Sequence, residues 1–263
     1  MNKQGFVSIQ FLDHENKWQA FRYFNGNAYP QYVRSIVNSC WRRFSLIFCY
    51  YENMQTVRLI DVQDFLALLN ENAQQLKAKK KDLPIEVSYE SVGHISYFYM
   101  ILIMVKSFLD IWAQVSTILI NPRARIRGFN QGRIDGEVLA GGRFINWLRG
   151  SVPKAANIEN LIYLVTSNSK EWITSAVDYR DDIVHYGEIN DIKPLRMILR
   201  GEPKDSYKET DILHASMPDG TLVSEYSRNA LARLNSFVIE FIKLLPDIDK
   251  TFLSLVPIAT LGN

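Results

Sequence analysis

The stretch KEWITSAVDYRDDIVHYG, residues 170–187, places an arginine on the apolar side of a helix. The apolar residues of this stretch recur at helical spacing and are Ile173, Ala176, Val177, Ile183 and Val184. Arg180 falls inside that stripe, and Gly187 then supplies a helix stop because glycine readily adopts the left-handed conformation. The pattern predicts a core-facing helix that carries a cation on its buried side.

The same helix carries a polar row beside the stripe. Asp178, Asp181 and His185 lie three and four residues apart, so two carboxylates and an imidazole share one side. Asp181 is placed to accept a hydrogen bond from His185, and with Asp178 it favours the protonated ring. Arg180 and His185 differ in direction by roughly 140° on a straight helix, although a long guanidinium stem can curl toward the imidazole. A fixed cation and a proton shuttle suit chemistry at a phosphodiester.

Composition places the chain among globular proteins without a dominant charge. Of its 263 residues, 47% are hydrophobic and 22% are charged, which is enough apolar material for a sizeable core. The formal net charge is only +2, so no field of the whole molecule points to a nucleic-acid partner. Any site for an anion must therefore be local.

Cysteine and histidine usage predicts neither a disulfide nor a metal. Cys40 and Cys49 lie about 13 Å apart along a predicted helix, too far to bridge. The four histidines, at positions 14, 94, 185 and 214, show no metal-ligand spacing, and no cofactor motif is present. The first residues show no signal peptide, so we expect a reducing, cytoplasmic setting.

The first half of the chain predicts a hairpin followed by helices. Residues 6–12 and 17–24 favour two strands, residues 30–52 and 61–81 favour two helices, and Pro84 ends the second. A long helix is expected from about Tyr89 to Asn121. Its segment ISYFYMILIMV, residues 95–105, closes at Lys106 and falls short of a membrane span, so no membrane partner is expected.

The second half predicts helices around a small sheet. Residues 153–186 favour one or two helices, and PLRMILR, TDILHAS and GTLVSEY favour short strands, with a turn at MPDG. A last helix should begin with Ser227 as its cap and end before Pro246. The fold class is therefore mainly α, with an N-terminal elaboration over residues 1–84 and a helical domain over 85–263. An antiparallel β insertion is expected at about 194–224, before the last helix.

An arginine-rich connection joins the long helix to the next one. Residues 121–150 hold six arginines and two acidic residues, and five glycines lie within residues 122–144. The arginines are Arg123, Arg125, Arg127, Arg133, Arg143 and Arg149. The connection lacks the Gly-Lys-Ser/Thr ending of a phosphate loop. Its arginines and the aromatic residues Phe129, Phe144 and Trp147 could hold phosphates and stack bases. The alternative is that these arginines pair with surface carboxylates.

The residues RDDIVH, 180–185, resemble the R-x4-H motif of the HEPN superfamily (higher eukaryotes and prokaryotes nucleotide-binding domains). The resemblance implies a bundle of four or five helices that often dimerises. It also implies a metal-independent endoribonuclease of a defence or toxin type, with an antitoxin as a further partner. Arg180 and His185 would be catalytic, and Asp181 would support them. The family's tyrosine stands two residues after the histidine, whereas Tyr186 follows directly, so the subgroup stays open.

These observations leave two functions open. The first is RNA cleavage by a homodimer joined through the R-x4-H helix, with Arg123, Arg125, Arg127 and Tyr186 binding RNA. The second is a non-catalytic helical module that dimerises or binds a nucleotide or RNA. A purely structural role is the third reading of the motif, with Arg180 paired to a core carboxylate such as Asp110.

Overall fold

Helices make up most of the molecule, as the sequence predicts. The computed structural model describes residues 6–12, 18–24, 31–79, 85–121, 124–151, 156–201, 209–244 and 253–257. The helices are α1 Gln31–Lys79, α2 Gly93–Ile120, α3 Gly142–Ser151, α4 Ala156–Asn168, α5 Thr174–Tyr186 and α6 Val223–Leu244. A π-helical turn, Ser169–Ile173, joins α4 to α5.

Short antiparallel strands complete the fold. They are β1 Phe6–Leu12, β2 Trp18–Phe24, β3 Ile85–Ser91, β4 Gly132–Ile134, β5 Glu137–Leu139, β6 Leu195–Gly201, β7 Glu209–Leu213 and β8 Leu253–Pro257. Two sheets have three strands each, in the orders β1-β2-β8 and β3-β6-β7, and β4 with β5 forms a hairpin. The predicted N-terminal hairpin is confirmed, with Phe6 opposite Phe24 and Leu12 opposite Trp18. The third strand of this sheet, β8, was not predicted.

The prediction of two helices before Pro84 is wrong, because α1 is continuous over 49 residues. No proline or glycine interrupts Gln31–Lys79, so nothing in the backbone chemistry stops the helix between the two predicted segments. Residues 80–84, where the predicted break falls, lie outside the described residues.

The long central helix begins later than predicted. Tyr89 lies in β3, opposite Met197, and α2 starts at Gly93. Among the described residues, Gly93–Ile118 is long and apolar enough to cross a membrane by length and composition. The sequence prediction judged this segment too short, but Lys106 forms an ion pair with Asp110 on the same helix and the apolar stretch continues past them. Half of the most apolar part of this helix is buried inside the fold.

The sheet near the C-terminal half differs from a simple insertion before the last helix. Two predicted strands are confirmed as β6 and β7, but the third strand of their sheet is β3, which precedes α2. The predicted strand GTLVSEY is wrong, because α6 begins at Val223. Ser227 is consequently not a cap but a buried residue inside α6, where its hydroxyl donates to the carbonyl of Val223.

The core lies between α2 and the helices that pack on it. The Phe44 ring of α1 lies 5.0 Å from the Phe108 ring of α2, and the Trp112 ring lies 5.2 Å from the Phe241 ring of α6. α5 also packs against α2 and continues α4 through the π-helical turn. This arrangement fixes the end of α5, where the R-x4-H residues lie, at the edge of the core.

Candidate functional site

The C-terminal end of α5 leaves the core where the sequence places the motif. Ala176 and Val177 are buried, whereas Val184 is 50% exposed, so the apolar stripe reaches the surface within its last turn. Gly187 adopts the left-handed conformation, with φ of 85°, and its amide donates to the carbonyl of Ile183. The predicted helix stop is therefore confirmed.

Arg180 lies at the boundary between core and solvent. Its side chain is 30% exposed, and its Nη1 donates to Asp181 Oδ1 at 2.7 Å. Its Nε is buried and has no hydrogen-bond partner among the described residues. Asp110, the carboxylate considered for a structural pair, instead accepts from Lys106 and from the backbone amide of Phe129. The guanidinium is thus held by its own neighbour and keeps one unsatisfied donor.

His185 and Tyr186 are exposed at the end of the helix. The Tyr186 side chain is 75% exposed, and the two rings lie 6.4 Å apart between their centroids. The expected hydrogen bond from His185 to Asp181 is not formed, and Asp181 Oδ1 instead accepts from Arg180. The imidazole is therefore open to solvent, on a different side of the helix from the root of Arg180.

The acidic row of α5 touches the arginine-rich connection. The Nε2 of Gln131 lies 3.4 Å from Asp178 Oδ1, which places the connection along the same side of α5 as His185. Partial burial and the charges of Asp181 and Asp182 raise the pKa of Asp178 above its usual value. The contact between Gln131 and Asp178 places one residue of the arginine-rich connection beside the polar row of α5. Gln131, which joins them, carried no recognisable signal in the sequence.

The connection is a packed segment, not a flexible phosphate-binding loop. Its residues 127–129 are held by α2, because Gln114 donates to the carbonyl of Arg127 and Asp110 accepts from Phe129. An Asp-Gly turn with positive φ at both residues, 50° and 93°, joins β4 to β5. The Asp-Gly signal for this hairpin is present in the sequence of the arginine-rich connection.

The arginines of the connection have different fates. Arg149 forms two hydrogen bonds with Asp135, so the surface-pairing alternative holds for this residue. Arg125 and Arg127 are exposed, and the Nη1 of Arg125 donates to the carbonyl of Ala124. Arg123 lies outside the described residues. Two predicted RNA-binding residues are thus placed at the surface.

Two of the three aromatic residues expected to stack on bases are buried in the core, and the third, Trp147, is partly buried against it. Phe129 and Phe144 are fully buried, so the prediction that their rings stack on bases is wrong. A Cβ on Gly141 would lie 2.3 Å from the Phe129 ring, which shows how tightly that ring is enclosed. These two rings fill the core, as large aromatic side chains commonly do.

Within the ranges that the structure describes, no group of three or more His, Cys, Asp or Glu residues could hold a metal ion. Cys40 and Cys49 are both free, the first buried and the second exposed. Comparisons with protein-family models, curated proteins and solved structures find no match to this chain. The resemblance to the HEPN superfamily therefore rests on the six-residue motif and its helical setting.

Proposed function

We propose that this chain is a metal-independent endoribonuclease of the HEPN type, with Arg180 and His185 as its catalytic residues. The observation that supports it best is the state of Arg180, a cation at the edge of the core with a buried, unpaired Nε and a partly exposed guanidinium. A permanently charged group is costly to bury, so its retention at this boundary favours a role toward an anion. An exposed histidine at the end of the same helix supplies a group that can move protons at neutral pH.

In the proposed reaction, the 2′-hydroxyl of the RNA attacks the adjacent phosphorus and the 5′-oxygen of the next nucleotide leaves. The products are a 2′,3′-cyclic phosphate and a free 5′-hydroxyl, so the net reaction needs no co-reactant. His185 moves a proton in this transfer, and Arg180 stabilises the negative charge on the phosphoryl oxygens. Asp181 orients Arg180 through its hydrogen bond to Nη1. RNA would approach along Arg125, Arg127 and the exposed ring of Tyr186.

The test is cleavage of RNA and of DNA with the same sequence, each with and without a chelator. RNA should be cut to products that end in a 2′,3′-cyclic phosphate, whereas DNA, which lacks the nucleophile, should stay intact. The chelator should leave the rate unchanged. Cleavage that stops with the chelator and returns with magnesium would contradict the mechanism.

A non-catalytic helical module is the second candidate, and the exposed apolar residues beside His185 favour it. Val184 is 50% exposed and Tyr186 is 75% exposed, so this helix end presents apolar surface of the kind that pairs with a second copy. Such a module would dimerise without cutting RNA. Sedimentation of the parent protein, combined with the cleavage assay, separates the two functions.

A further inference from the structure

Two glycines of the arginine-rich connection bring two arginines together. A Cβ on Gly142 would lie 2.2 Å from the carbonyl oxygen of Gly132, and a Cβ on Gly132 would lie 2.6 Å from the amide nitrogen of Arg143. The start of α3 and the start of β4 are therefore in direct backbone contact. Because an arginine follows each glycine, Arg133 and Arg143 extend from the same point of contact.

The backbone around this contact is fixed on both sides. The Nδ2 of Asn146 donates to the carbonyl of Arg133 at 3.2 Å, and the amide of Arg143 donates to the carbonyl of Asn130 at 3.3 Å. Arg133 also stands opposite Val138 in the hairpin. The roots of the two arginine side chains are thus held in place, which lowers the entropy cost of gripping a ligand.

The carboxylates of the hairpin are already occupied. Asp135 accepts from both terminal nitrogens of Arg149, at 3.2 and 3.1 Å, and this guanidinium lowers the pKa of Asp135. Glu137 forms an ion pair with Lys170 at 2.7 Å. Arg133 and Arg143 are exposed, and within the described part of the chain neither side chain forms a hydrogen bond or an ion pair. Two positive charges without a partner among the described residues therefore extend from neighbouring points of the backbone.

We propose that Arg133 and Arg143 hold one phosphate of a polynucleotide between them, as a positioning pair apart from the reacting residues of α5. Paired guanidiniums match the oxygens of a phosphate in charge and in hydrogen-bond geometry. That the polynucleotide is RNA rests on the proposed function, whereas the phosphate site itself rests on the geometry of the hairpin. Gln131, one residue before β4, contacts Asp178 of α5, so this phosphate would lie along the approach to His185.

The experiment measures binding of a fluorescent, 2′-O-methylated single strand of about a dozen uridines, which keeps its phosphates but cannot be cleaved. Arg133→Ala and Arg143→Ala should each weaken binding about tenfold, and the double variant should fall well short of a hundredfold because both arginines serve one phosphate. When this phosphate contact is lost, the slope of log affinity against log salt concentration should decrease in magnitude by about 0.7. Arg228→Ala, which removes an exposed charge on α6, is the matched control and should leave binding unchanged.

The proposed pair would be overturned if the two losses of affinity multiplied in the double variant. It would also be overturned if Arg133→Ala and Arg143→Ala had no more effect on binding than Arg228→Ala. A parent protein that does not bind the strand would overturn it as well. Binding that depends on both arginines in a protein that cleaves no RNA would support the phosphate site and contradict the endoribonuclease. Melting curves should be alike for all variants, since neither arginine side chain contributes a hydrogen bond in the described residues.

Discussion

At the scale of single residues, Arg180 fits its environment least well, because a charged side chain occupies a position in the apolar stripe of α5. Three neighbours on the same side, Ile173 of the π-helical turn and Ala176 and Val177 of α5, are buried, yet Arg180 keeps its charge and part of its exposure. Its partner is the adjacent Asp181, and a half-exposed ion pair of this kind contributes at most about 1 kcal/mol. Stability therefore gives little reason for an arginine at this position.

Replacement of the motif residues by alanine should separate chemistry from stability. We expect Arg180→Ala and His185→Ala each to lower the rate of RNA cleavage by about a hundredfold or more, the usual scale for losing a charge stabiliser or a proton shuttle. The free energy of unfolding should change by less than about 1 kcal/mol in either variant. Cleavage assays and thermal melts measure both quantities. A large loss of stability in Arg180→Ala, with cleavage unchanged, would assign the residue to the fold alone.

Asp181 and Asp182 offer a matched pair of substitutions. Both are partly exposed on α5, but only Asp181 bonds to Arg180 in the structure. Asp181→Asn should lower kcat about tenfold or more, because Arg180 loses the group that orients it. Asp182→Asn removes the same charge and should leave kcat within about twofold, with a modest gain in RNA affinity. Equal effects on kcat would show that only the local field matters.

Residue-level prediction from sequence succeeded where the chemistry was local. The stripe around Arg180 and the left-handed stop at Gly187 follow from helical period and backbone sterics, both of which the sequence carries. The partner of Asp181 did not follow from spacing, because an imidazole four residues on and a guanidinium next to it are both within reach of the carboxylate. Side-chain conformation decides which of these bonds forms, and spacing alone does not encode it.

At the scale of elements, the glycines near α3 act through close packing. Gly142→Ala should destabilise the protein by about 3 kcal/mol, since its Cβ would meet the backbone of Gly132 at 2.2 Å and backbone cannot move aside cheaply. Gly150→Ala, in the same helix, meets nothing within 4 Å and should be neutral or stabilising by up to about 1 kcal/mol. Chemical denaturation of the two variants tests this contrast. Similar unfolding midpoints would contradict the backbone contact.

Two of the strands that were not predicted from the sequence share a physical cause. β3 and β8 are strands whose partners lie more than a hundred residues away along the chain, and such pairing leaves no local pattern. The start of α6 was misassigned because Leu222 and Val223 are residue types common in strands. The β-bridge from Ser216 ends at Leu222, and the helix begins at Val223. The helix α2, whose period is local, was predicted within a few residues at both ends, and the end of α5 was predicted at Tyr186.

At the scale of the whole molecule, the geometry of α5 separates the two motif residues within one chain. Arg180 rises from the buried side of the helix and bonds to Asp181, whereas His185 is exposed on another side. A two-fold dimer through this helix end would bring Arg180 of one chain near His185 of the second chain. The exposed side chain of Val184 is available to form that seam.

Mixing two inactive variants tests whether the site is shared between chains. If Arg180 of one chain acts with His185 of the other, a mixed dimer of Arg180→Ala and His185→Ala keeps one intact site. Random pairing should then restore about a quarter of parental activity, because half of the dimers are mixed and each holds one of two sites. Recovery should fall on dilution as the dimers dissociate. His185→Ala mixed with the double variant is the control and should stay inactive. If the first mixture also stays inactive although the variants exchange subunits, each chain must use its own Arg180 and His185. The Arg180 side chain would then have to turn toward His185 within one protomer.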